Sequence, residues 1–155
     1  MQWSESIEIG RSREQVHSAI ANEHELMRWS AWPAATGYTC AVDGDGCSLG
    51  SAIVFTDRKG TEQGRQRLTL VEPDRVHYRL RNRGPLGREM TPQVDFRLED
   101  LAGLRTRVHL DFQASAPLPV GLRQLAEAVI GRRVRALHVL DLQQLKAHVE
   151  TVPSG

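Results

Sequence analysis

The residue that most invites chemistry is Arg133, which stands in the middle of a helical stripe formed by Leu122, Ala126, Val129, Leu137 and Leu140. A guanidinium among aliphatic neighbours needs an anion or several acceptors, because an unpaired buried charge is very costly. Its rigid fork of donors suits a carboxylate or a carbonyl oxygen, which makes Arg133 a candidate ligand anchor. Alternatively it reaches solvent along its own stem, or pairs internally with Glu5. Few other inward positions could act as acid or base, and Glu5, Gln66, Tyr78 and Thr106 complete the set. His17, His24, His77, His109, His138 and His148 fall mostly on outward or helix-surface positions and form no convincing metal cluster. No metal and no cofactor is expected, and no Ser or Cys lies in a recognisable nucleophile elbow. Cys40 and Cys47 flank a Gly-rich turn and read as reduced, structural thiols.

These positions need elements to hold them. Trp3-Ser4-Glu5-Ser6-Ile7-Glu8-Ile9 has the period of a strand. Ser12 stands three residues before Gln15, and Asn22 three before Glu25; these capping boxes predict short helices over 13–21 and 23–29. Val16, Ala19, Ile20, Leu26 and Trp29 can form their buried stripe, and Trp29-Ser30-Ala31-Trp32-Pro33 closes the pair. From about Thr36, turn signals at 43–46, 58–60, 72–74, 84–87 and 100–103 cut the chain into six strands. Alternation is cleanest in the last three, where Val76, Tyr78 and Leu80, then Met90, Val94, Phe96 and Leu98, then Val108, Leu110 and Phe112 face one way. Such a sheet is covered on one side and wet on the other. Pro117 and Pro119 introduce a helix over about 120–149, roughly 45 Å long at 1.5 Å per residue. Arg123, Glu127, Arg135, His138 and Glu150 fall mostly away from its apolar stripe.

With 155 residues the chain can bury a full core as one domain, 1–150, followed by a flexible tail, 151–155. Its formal net charge is +1 and its sequence pI about 7.9, a balance that argues against a nucleic-acid partner. The start lacks a secretory leader pattern, and no stretch approaches the roughly 18 apolar residues of a membrane span. A cytoplasmic protein, without membrane insertion and either monomeric or homodimeric, is expected.

The order of strand, two short helices, six-stranded meander and long helix resembles the START-like, polyketide-cyclase-like superfamily of helix-grip proteins. Ile7-Glu8-Ile9 with Ser12-Arg13-Glu14-Gln15-Val16, Met27-Arg28-Trp29 with Pro33, and Leu70-Val71-Glu72-Pro73-Asp74-Arg75-Val76 are similar to that superfamily's scaffold segments. The resemblance implies an α+β fold, a seven-stranded curved antiparallel sheet wrapped around a long C-terminal helix, with a ligand cavity between them. Expected walls are Leu68, Leu70, Tyr78, Leu80, Met90 and Val94, then Phe96, Val108, Leu110 and Phe112 from the sheet. From the helix come Leu122, Ala126, Val129, Arg133 and Leu137, with Trp29 and Trp32 as candidate gate residues. Each also has a plain reading as core. The implied function is binding of a small hydrophobic, lipid-like or polyketide-like molecule. Cyclase, aromatase or dehydratase action in the same cavity is implied as an alternative. A different one is docking of protein, RNA or a membrane through an outer sheet face carrying Arg65, Arg67, His77, Arg79, Arg81, Arg97, Arg105 and Arg107. Asp95, Glu99 and Asp111 interrupt that face and favour its being merely solvated.

Overall fold

The structure is a computed structural model and describes residues 1–153. Strand β1 (Gln2–Ile9) leads into helices α1 (Arg13–Ala21) and α2 (Glu23–Trp29), whose bounds are those the caps predict. Asn22 serves both helices. Its backbone N–H donates to Ser18 O at the end of α1, and its side chain accepts from the backbone of His24 and Glu25 at the start of α2. A third short helix, α3 (Trp32–Thr36), is an addition to the expected pair. Pro33 falls in its first turn, where a missing N–H costs nothing, and Gly37 ends it at φ +72°.

The meander follows as β2 (Thr39–Asp43), β3 (Ala52–Thr56), β4 (Glu62–Glu72), β5 (Arg75–Arg83), β6 (Glu89–Met90), β7 (Gln93–Leu101) and β8 (Arg105–Gln113). Among the described residues these form one antiparallel sheet, ordered β1-β8-β7-β5-β4-β3-β2, with β6 against β5. The expected sixth-strand run from Met90 to Leu98 is split at Pro92, which cannot donate to the ladder and instead accepts from the Leu80 N–H. That split raises the strand number from the expected seven to eight. The long helix α4 (Val120–Thr151) lies against the concave side, as a helix-grip arrangement requires. Thr151 belongs to it, and of the expected tail residues 154 and 155 lie outside the described residues.

The helix presents the opposite face from the one its leucines suggest. Gly131, His138, Asp141, Leu142, Leu145 and Val149 are buried, whereas Leu122, Leu125 and Val129 are 58%, 66% and 67% exposed. Gly131 marks the centre of the buried face. It lies midway between Leu122 and Leu140, about 180° from both at 100° per residue. A β-carbon there would make ordinary van der Waals contact with Met1 and the Trp3 ring, so α4 lies close against β1 at this point. The Leu122–Leu140 stripe is thereby turned outward.

This packing divides the concave side in two. At one end α1 and the last turns of α4 fill it with Ile9, Val16, Ile20, Val108, Leu145 and Val149. At the other end the helix stands off and a void remains. On the convex side several arginines are held by neighbouring carboxylates, with Arg65 on Asp43 and Glu62, Arg75 on Asp95, Arg97 on Asp111 and Arg107 on Glu8, while Arg67 donates to Gly50 O. Such exposed pairs set side-chain geometry more than stability.

Candidate ligand cavity

The void has a volume of about 450 Å³, is partly open to solvent, and is bounded by the sheet, α2, α3 and the middle of α4. Of the residues expected to line it, Leu80, Met90, Val94, Phe96, Leu110 and Phe112 do so from the strands, and Trp29 and Trp32 from the short helices. Their inward direction follows from the pleat, since Val94 opposes both Tyr78 and Phe112 across the ladders and all three share the covered face.

Other expected wall residues are placed elsewhere. Leu68, Tyr78 and Val108 are fully buried, but in the filled part of the core, where the Tyr78 hydroxyl donates to Ile20 O at 2.7 Å. Leu70 is turned away by a bulge after Leu68 that sets it opposite His77 on the outer face. Leu122, Ala126, Val129 and Leu137 are off the wall because α4 turns that face away from the cavity. Arg133 goes with them. It is exposed and donates to Ala35 O at 3.3 Å, tying α3 to α4 from outside, so it is not a cavity anchor. Glu5, considered as its partner, pairs with Arg135 at 2.6 Å.

In their place α4 contributes Ile130, Val134, His138 and Asp141. The last two break the rule that a buried helix face is apolar, and His138 is buried rather than on the helix surface. The signal lay in the spacing 138-141-142-145-149, which is a helical stripe in its own right. His138 is 3% exposed and sits against Phe112, with ring centroids 4.7 Å apart. Trp3 Nε1 donates to its Nδ1 at 3.1 Å. Burial lowers the His138 pKa to about 4, so the ring is neutral at physiological pH.

Asp141 is 7% exposed and gathers three donors from one loop. Its Oδ1 accepts from the Ala31 N–H at 2.7 Å and, at the limit of range, from Ser30 Oγ at 3.5 Å; its Oδ2 accepts from Trp32 Nε1 at 3.0 Å. Burial pushes its pKa up to about 7 in spite of these donors. The strand side adds a second polar group, Gln63, Gln66 and Asn82, and Asn82 Oδ1 is buried with no partner among the described residues. Gly64 opposes Asn82 across the ladder, and a β-carbon there would meet the Asn82 side chain at 2.8 Å. The arrangement is an apolar chamber with polar groups at two places, able to hold a molecule and to orient it. Among the described residues no group of side chains is placed to hold a metal ion, and no helix is long and apolar enough to cross a membrane.

Solved structures share this architecture. A protein from Chromobacterium violaceum is 17% identical, with 97% of this chain and 98% of that one covered and a TM-score of 0.69. The di-domain ARO/CYC protein BexL of the BE-7585A biosynthetic pathway is 19% identical, with 97% of this chain and 46% of that one covered and a TM-score of 0.70. DynU16, from the dynemicin biosynthetic locus, is 17% identical, with 97% and 47% covered and a TM-score of 0.62. No curated protein matches the sequence. A family model described as "Polyketide cyclase / dehydrase and lipid transport" matches residues 2–150, nearly the whole chain. With fold and sequence in agreement, the chain belongs to the polyketide cyclase/dehydrase and lipid transport family, within the START-like helix-grip superfamily.

Proposed function

We propose that the protein binds a small, largely apolar molecule inside the sheet–helix cavity. The observation that carries this reading is the partly open cavity of about 450 Å³ beside a cluster of fully buried apolar residues. Close-packed interiors leave few voids larger than a water molecule, so a chamber of this size with aromatic and aliphatic walls suits a guest. Membership of a family described by cyclase, dehydrase and lipid-transport activities agrees with it. Native mass spectrometry of the purified protein, followed by extraction, is expected to yield a bound apolar compound or to accept an added one in one-to-one ratio. A protein that stays unliganded with every apolar compound offered at saturation sinks the reading.

A second reading is favoured by one observation, the presence of a histidine and a carboxyl group on the cavity wall. In a cyclase or dehydrase of a reactive chain, Asp141 would move a proton to or from the guest while the apolar walls fold it. Asp141→Asn would then abolish turnover of a test polyketide while leaving its binding within about threefold.

A further inference from the structure

His138 and Asp141 stand three residues apart on α4, so they rise from one side of the helix and meet the cavity together. Each has one face occupied and another unused. Because Trp3 donates to Nδ1, that nitrogen carries the lone pair, and in a neutral ring the proton must sit on Nε2. Nε2–H is therefore a donor, and no side chain or backbone group among the described residues accepts from it. Asp141 offers the complement. Its Oδ1 takes two donors, but Oδ2 takes Trp32 alone, and a carboxylate oxygen has room for a second. One donor and one acceptor thus belong to the same cavity wall, each with capacity for a further hydrogen bond.

We propose that this pole of the cavity receives the hydroxyl group of a neutral apolar alcohol or phenol, whose oxygen accepts from His138 Nε2–H while its proton is donated to Asp141 Oδ2. The assignment rests on the reading of the cavity as a ligand site and narrows it to a class of guest. A carboxylate ligand is disfavoured because it would bring a second negative charge beside Asp141. The arginine once expected to meet it, Arg133, lies outside the cavity. Of the two arginines that border the chamber, Arg65 is already held by Asp43 and Glu62, and Arg83 is exposed on β5. An ether or ketone can accept from His138, but leaves the free site on Asp141 unfilled.

Four probes that share one ring system separate these cases by isothermal titration calorimetry on the full chain at pH 7.5: naphthalene, 2-methoxynaphthalene, 2-naphthol and 2-naphthoate. 2-Naphthol is expected to bind at least about tenfold more tightly than 2-methoxynaphthalene, and 2-naphthoate to bind weakest. In His138→Phe the advantage of 2-naphthol over naphthalene should shrink to within about threefold, with naphthalene itself retained. Tightest binding by 2-naphthoate, or 2-naphthol and 2-methoxynaphthalene within twofold of one another, overturns the hydroxyl assignment and leaves the cavity reading standing. If naphthalene and all its derivatives fail to bind, the cavity reading falls, and this assignment with it.

Discussion

Trp32 and Asp141 are joined by a 3.0 Å hydrogen bond from indole Nε1 to Oδ2, so a five-residue helix beside the cavity is latched to the long helix through one carboxylate. The same carboxylate accepts from the Ala31 backbone. Position of the entrance and polarity of the interior therefore depend on one group. Trp32→Phe, which removes the donor and keeps most of the ring surface, is expected to cost about 1–2 kcal/mol in urea unfolding.

The pH dependence of stability should expose an opposition between two neighbours. Asp141 has its folded pKa raised from 3.8 to about 7, so its contribution grows more favourable as pH falls through 7 towards 4. His138 has its folded pKa lowered from 6.5 to about 4, so over the lower part of that window the unfolded chain gains the proton and stability is lost. In the wild type the two slopes largely cancel between about pH 6.5 and 4. Relative to wild type, Asp141→Asn should lose stability as pH falls through that range, and His138→Gln should gain it. Slopes approach about 1.4 kcal/mol per pH unit at most, measurable by urea titrations at a series of pH values. Parallel curves for the two variants would contradict the assignment.

Glu23 offers a stabilising substitution. It is fully buried where α2 meets the loop after β2, and neither carboxylate oxygen has a hydrogen-bond partner among the described residues. Burial raises its pKa, offset only in part by the nearby Ser51 hydroxyl. Its ionised form costs stability above the folded pKa, and that cost fades as pH falls towards the unfolded value. Glu23→Gln should therefore be more stable than wild type at pH 8, by about 1 kcal/mol or more, with the difference closing near pH 4. An undiminished gap at acid pH would show that ionisation is not the cause.

Two leucines on α4 test the orientation of that helix. Leu145 is fully buried and Leu125 is 66% exposed. Leu145→Ala should cost about 2–5 kcal/mol, whereas Leu125→Ala should stay within about 0.5 kcal/mol. The stripe running from Leu122 to Leu140 would require the opposite sensitivity.

What could be read from the sequence follows from how many independent signals each element carries. The caps at Ser12 and Asn22 and the alternation from Val76 to Phe112 each satisfy a local rule, and those elements appear where the rules put them. The rotation of α4 has no such local rule. The helix is apolar on two sides, Leu122, Leu125 and Val129 on one and Ile130, Val134, Leu142 and Leu145 on the other, so periodicity cannot choose between them. The choice is made by packing distant in sequence, α4 against β1, α1 and α2. Arg133, His138 and Asp141 exchange roles as a consequence. Six of the ten expected strand positions line the cavity, whereas none of the expected α4 positions does.

The chain has three tryptophans, and all of them converge on the chamber: Trp29 and Trp32 form part of its wall, while Trp3 stands one hydrogen bond behind, on His138. The molecule thus carries its own optical reporter. A guest that displaces water from this space changes the surroundings of every indole at once, so occupancy should be visible in the intrinsic emission of the unlabelled protein.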